Sequence, residues 1–264
     1  GPSVTFYLNM DPDLFADRGL PVVGAHELGH VKAVMAENPS LDGIYLDSWS
    51  SWGAMVDNCR RDHFPYAAYP LTYDEATGTL CLRGQWSALE FLGVLNDLLH
   101  PTGRYVLANL GARLHTFTAM WLDIVGIEGG TRPGRAQVEE FRPVVGQKQL
   151  CVLEHLQFLG GDDGVISREE YDAYAKRCLL WGAIPSVTWF DGYAQLYEAN
   201  RDLFDLYYAL AVRLSQAGWH AVTGARSDRP EIRLERFGPE ADGTVLITVL
   251  NTADTALQTT VSLD

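Results

Sequence analysis

Two acidic residues stand where a parallel sheet would present catalytic carboxylates. The segment Leu41-Asp42-Gly43-Ile44-Tyr45-Leu46-Asp47-Ser48-Trp49 is a short apolar and aromatic run that ends in Asp47, and Asp123-Ile124-Val125-Gly126-Ile127-Glu128 ends in the same way in Glu128. Side chains alternate along a strand, so Asp47 shares a face with Tyr45, and Glu128 with Ile124 and Gly126. Between the two runs lies Tyr105-Val106-Leu107-Ala108-Asn109, with Asn109 on the parity of Leu107. This pattern predicts two carboxylates facing one pocket across Asn109. Such a pair breaks a glycosidic bond when one group attacks, or activates water, while the other protonates the leaving oxygen. Gly126 behind Glu128, and Gly129-Gly130 after it, leave space for a substrate. Taken singly, each acid has an ordinary reading, Asp47 as a helix cap and Glu128 as an exposed loop acid. The joint pattern favours the pocket.

Further candidates sit at the ends of later runs. Leu150-Cys151-Val152-Leu153-Glu154-His155 offers Glu154 or His155 to the pocket, but a regular strand turns only one of them inward. Asn109 and Glu154 are therefore candidate substrate-binding groups. Trp49, Trp52, Trp189 and Tyr193 follow strand ends, where a ring either stacks on the apolar face of a sugar or packs a loop onto the sheet.

A rival chemistry is written in His26-Glu27-Leu28-Gly29-His30, which matches H-E-x-x-H. On a helix this sets two imidazoles one turn apart for zinc, with the Glu as general base of a metallopeptidase. The following Val31-Lys32-Ala33-Val34-Met35-Ala36 supplies neither the glycine nor the third histidine of the extended motif, and few residues precede it to build a sheet. The expectation is a loop or helix leading into the Asp47 strand. Asp162 to Glu170 keeps part of the spacing of a calcium-binding loop, but Leu159 and Gly161 fall at the first and third ligand positions. Ser167 and Glu170 instead make a capping box that starts a helix. No metal and no cofactor is expected.

Placing these groups requires alternating elements. Helical periodicity runs over Trp86–Leu99, Glu169–Leu180 and Asn200–Ala217, between apolar runs that include Ile184-Pro185-Ser186-Val187-Thr188-Trp189. Strand and helix in alternation call for a parallel sheet covered by helices, and the (β/α)8 barrel is the leading expectation. Ser3–Asn9 and Leu20–Val23 are further candidate strands, bringing the count to six or seven. The chain is therefore expected to lack the first one or two strands of the barrel. From about residue 221 the runs Glu231–Phe237, Thr244–Leu250 and Thr259–Leu263 have period two and are separated by turn residues, which predicts a small antiparallel β-sandwich. The expected organisation is an N-terminally incomplete barrel over 1–220 and a sandwich, or part of one, over 221–264. The irregular stretch from Trp49 to Arg83 has the length of a functional lid or binding wall.

Composition narrows the partners. With 264 residues, 47% hydrophobic and 20% charged, the chain can bury a full core. Its net charge of −14 repels phosphate, so nucleic acid and anionic membrane surfaces are poor partners and a neutral substrate suits it better. No apolar stretch approaches the roughly 20 residues of a membrane span, and residues 1–30 carry no signal-peptide pattern. Cys59, Cys81, Cys151 and Cys178 form no CxxC pair. They are expected to be buried thiols, with a Cys59–Cys81 bridge the alternative in an oxidising compartment.

Gly43-Ile44-Tyr45-Leu46-Asp47, Ala108-Asn109, Ile127-Glu128-Gly129 and the tail Glu235-Arg236-Phe237-Gly238 with Thr248-Val249-Leu250-Asn251 together resemble a glycoside hydrolase. The likeness is to the grouping of retaining α-glycosidase barrels that includes α-galactosidases, dextranases and endo-α-N-acetylgalactosaminidases, and it covers most of the chain. It implies that Asp47, at the end of the fourth barrel strand, is the nucleophile, and that Glu128, at the end of the sixth, is the acid/base. It also implies a β-sandwich after the barrel. The absent opening strands depart from the family pattern.

Overall fold

The computed structural model describes residues 8–49, 57–110, 116–128, 138–155, 166–188 and 193–263. It divides into two compact units: the chain to Leu110 with the segment up to Asp123, and the chain from Ile124 onward.

In the first unit, α1 (Val23–Glu37) buries Leu28, Val31 and Met35, an i, i+3, i+7 stripe. Gly24 lets it approach the preceding segment, because a Cβ there would lie 2.1 Å from the Met10 carbonyl oxygen. Asn38 ends the helix, its amide and its side-chain Nδ2 both donating to the Val34 carbonyl at 3.0 Å. Strand β1 (Gly43–Leu46) follows. A hairpin of β2 (Thr72–Tyr73) and β3 (Leu80–Cys81) precedes α2 (Gly84–Leu99), whose Phe91, Leu92, Leu95 and Leu99 are core. Strand β4 (Tyr105–Asn109) runs parallel to β1, pairing Gly43 with Tyr105 and Tyr45 with Leu107. That pairing needs the glycine, since a Cβ on residue 43 would meet the Tyr105 carbonyl oxygen at 2.2 Å. After α3 (Thr116–Trp121), the Asp123 carboxylate accepts the Val106 amide at 2.7 Å and lies 3.0 Å from His100 Nε2, fixing the start of β4.

The second unit carries three parallel strands, β5 (Ile124–Glu128), β6 (Gln149–His155) and β7 (Ala183–Thr188). Val125, Ile127, Leu150, Val152 and Ala183 are fully buried, as expected of strands packed beneath helices. Helices α4 (Val138–Val145), α5 (Arg168–Leu180), α6 (Tyr193–Ala199) and α7 (Arg201–Ala217) belong to this unit. The start of α5 is the capping box read from the sequence: Ser167 Oγ accepts the Glu170 amide at 3.2 Å, and Glu170 Oε2 accepts the Ser167 amide at 2.7 Å. From the same helix, the buried Tyr174 hydroxyl reaches the Val152 and Ser186 carbonyls at 3.2 and 2.7 Å, tying helix to sheet.

Two small antiparallel sheets close the chain. One has the order β11 (Leu246–Asn251), β10 (Ile232–Phe237), β8 (Trp219–His220), and the other pairs β9 (Ala225–Ser227) with β12 (Val261–Leu263). The change of periodicity near residue 220 is a change of pattern within one unit. Thr248 Oγ1 on β11 donates to the Leu180 carbonyl at the end of α5 at 2.7 Å, and Trp219 Nε1 donates to Glu235 Oε2 at 2.8 Å.

The architecture is thus mixed α/β, with parallel strands flanked by helices and small antiparallel sheets. Among the described residues there are five parallel strands, fewer than the eight of a closed barrel. Leu20–Val23 is not a strand, because Val23 already begins α1. Of Ser3–Asn9, all but the last two residues lie outside the described ones, and those two are in no strand.

Candidate active site

Asp47 follows the last residue of β1, and the register carries it to the side of Asn109 on β4. Asn109 Nδ2 donates to Asp47 Oδ1 at 3.1 Å, Tyr45 Oη donates to the same oxygen at 2.8 Å, and Ser48 Oγ donates to Oδ2 at 3.2 Å. Tyr45 reaches the carboxylate because residues i and i+2 share a face of a strand. Partial burial works against the charge of Asp47, but the hydrogen bonds from Asn109, Tyr45 and Ser48 outweigh it and hold the carboxyl below its usual value. The group is exposed and ionised at neutral pH, with both oxygens oriented. These are the properties of a carboxylate nucleophile.

The backbone turns sharply behind it. Ser48 has φ 50°, a left-handed conformation that side-chain-bearing residues adopt at a cost of about 1–2 kcal/mol and that gathers at functional sites. The turn sends Trp49 into the core, where it is 1% exposed and packs on Phe91 of α2 with ring centroids 5.6 Å apart. Trp49 is therefore a packing residue that anchors the end of β1, which corrects its assignment as a sugar platform. The exposed aromatic ring beside Asp47 is Tyr45, 49% accessible.

In the second unit, Glu128 ends β5 and is half-buried. The register pairs Gly126 with Cys151 and Glu128 with Leu153, so these four residues share one face of the sheet. Glu154 lies on the opposite face with Leu150 and Val152 and is fully buried. Glu154 and Glu128 therefore do not share a face, and at most one of them lines a given pocket. The physical reason is the parity of β6, which the sequence left open between Glu154 and His155. Trp189 and Trp52 lie outside the described residues.

His26 and His30 do fall on one helix, α1, and both are exposed. Among the described residues, no group of three or more His, Cys, Asp or Glu side chains is placed to hold a metal ion, so no third ligand joins them. The chain matches no family model, no curated protein and no solved structure.

Tyr45 and Ser48 are the contributors that a search for acids passes over. The i, i+2 parity of Tyr45 was available from the sequence. The left-handed turn at Ser48 had no local signal, because serine is not a residue that favours it.

Proposed function

We propose that this chain is a retaining glycoside hydrolase in which Asp47 attacks the anomeric carbon of a neutral carbohydrate and Glu128 protonates the leaving oxygen. Glu128 then takes a proton from the water that releases the glycosyl group from Asp47. On this reading the parallel strands are part of a (β/α)8 barrel and the antiparallel sheets are the β-sandwich that follows it. The observation that carries the proposal is the Asp47 carboxylate at the end of a parallel strand, held ionised by Asn109, Tyr45 and Ser48. A nucleophile must be charged and aimed before substrate arrives, and three donors on two oxygens accomplish both.

A panel of aryl α-glycosides tests the assignment. The wild-type chain is expected to release the phenol from at least one of them. Asp47→Asn is expected to lose about 10⁴-fold or more in kcat while still binding sugar, and Glu128→Gln about 10²–10⁴-fold. Undiminished hydrolysis by Asp47→Asn removes it as nucleophile. Sugar binding without turnover on any glycoside makes the chain a non-catalytic binder.

A further inference from the structure

The stretch between β1 and α2 holds two cysteines whose placement is set by a single antiparallel bridge. Asn58 and Leu82 exchange both backbone hydrogen bonds, at 2.7 and 2.8 Å. Residues that exchange both bonds form a hydrogen-bonded pair. The positions on either side of such a pair are non-hydrogen-bonded, with Cα atoms about 4.5 Å apart and side chains on a shared face. Asn58 and Leu82 both point inward and are buried. The flanking positions, Asp57 with Arg83 and Cys59 with Cys81, therefore share the face opposite Asn58 and Leu82.

The first flanking pair bears this out, with Arg83 Nη1 4.0 Å from Asp57 Oδ2. The second sets the exposed Cys59 against the buried Cys81, both of them free thiols. Asn58 Oδ1 accepts the Arg60 amide at 3.0 Å and turns the chain away immediately afterwards, so Cys59 is the last position that faces this strand. A disulfide needs Cα atoms about 4.4–6.8 Å apart, and a non-hydrogen-bonded pair lies at the near end of that range.

We propose that Cys59 and Cys81 are a redox-controlled cross-strand disulfide site that clasps residues 59–81 into a closed loop. The oxidant is a low-molecular-weight disulfide. Cys59, as the exposed thiol, gives up its proton and attacks one sulfur of the oxidant, forming a mixed disulfide and expelling one thiol. Cys81 then loses its proton and attacks Cys59 Sγ, forming the internal bond and expelling the second thiol, so that two protons and two electrons leave with the oxidant. Burial pushes the Cys81 thiol up to about 11, with the nearby Asp57 charge adding to it, which makes Cys81 the slower, resolving partner. The clasp restricts the unfolded chain more than the folded one and so stabilises this unit.

The test equilibrates the full chain with oxidised and reduced glutathione, traps free thiols by alkylation, and maps the peptides without reduction. The expected product is a chain that has lost two hydrogens, with one cross-linked peptide pair containing Cys59 and Cys81, reversed by dithiothreitol. Its melting temperature is expected to rise by several degrees on oxidation. Cys59→Ser, at an exposed position, is expected to fold as before and to show no oxidant-dependent shift. Glutathione left on Cys59 with no internal bond, or a cross-link involving Cys151 or Cys178 instead, overturns the proposal.

Discussion

Two carboxyl groups of the first unit, Asp47 and Glu90, are handled in opposite ways. Asp47 stands at the exposed end of β1 among three donors, which hold its carboxyl below the usual range. Glu90 is half-buried on α2. Burial and the charge of Asp11, whose carboxyl is within hydrogen-bonding reach, push it up to about 7, against the Ala68 amide that donates to its Oε1 at 2.8 Å. Donors that can bond the charged form stabilise a charge, whereas a neighbouring carboxylate and low solvent access stabilise a proton. The exposed carboxyl is kept charged, and the half-buried one joins Asp11, in the segment before α1, to α2 and the Ala68 loop.

The largest effect expected from this contrast concerns Glu90. Its folded value lies above the unfolded one of about 4.3, so the folded chain keeps the proton longer. Stability is fully present below that value, declines as pH rises to about 7 and is level beyond. Glu90→Gln keeps an acceptor for Ala68 and a donor for Asp11. It is expected to flatten the profile, recovering about 2 kcal/mol above pH 7 in urea unfolding, the full shift reduced for solvent screening of a half-buried group. A variant profile as steep as that of the wild type would dissolve the distinction between the two sites.

A smaller effect is expected on the other side of the comparison. Asn109→Ala removes one donor to Asp47 Oδ1 and lets its carboxyl rise toward the ordinary value. On the proposed function activity requires the ionised form, so the acid limb of the kcat profile should move to higher pH, with kcat lower by about 10-fold, the worth of one charge-assisted hydrogen bond. An unmoved limb would show that Asn109 does not hold the charge.

The smallest is at Ser48. Glycine adopts φ 50° without penalty, so Ser48→Gly is expected to stabilise the chain by about 1 kcal/mol in thermal unfolding. The same variant loses the donor to Asp47 Oδ2 and should also raise the acid limb. Stabilisation without that shift would assign the strain to the turn alone.

Much of this could be read before any coordinates. Helices at Trp86–Leu99, Glu169–Leu180 and Asn200–Ala217 appear within two residues of their expected bounds, because an apolar stripe at helical spacing must face a core. The capping box at Ser167 and Glu170 is local chemistry and appears as written. Leu20–Val23 was misread, since a run of four apolar residues does not by itself distinguish a strand from a helix entry. Trp49 is open between a sugar platform and a packing residue in the sequence, because a residue after a strand end can turn either way, and the left-handed Ser48 decides for packing.

What the sequence determined by itself was the strongly periodic elements, the five parallel strands and three long helices among them, and the parity of residues two apart, because both follow from backbone geometry within one segment. Tyr45 beside Asp47 is such a case. Tertiary structure decided which partner each face meets. Asn109 lies 62 positions from Asp47 and becomes its donor only through the register of β1 on β4. Glu154 leaves the face of Glu128 only through the register of β5 on β6. A strand repeats every two residues and carries no mark of which neighbour it will pair with, so register is settled only when both strands are packed.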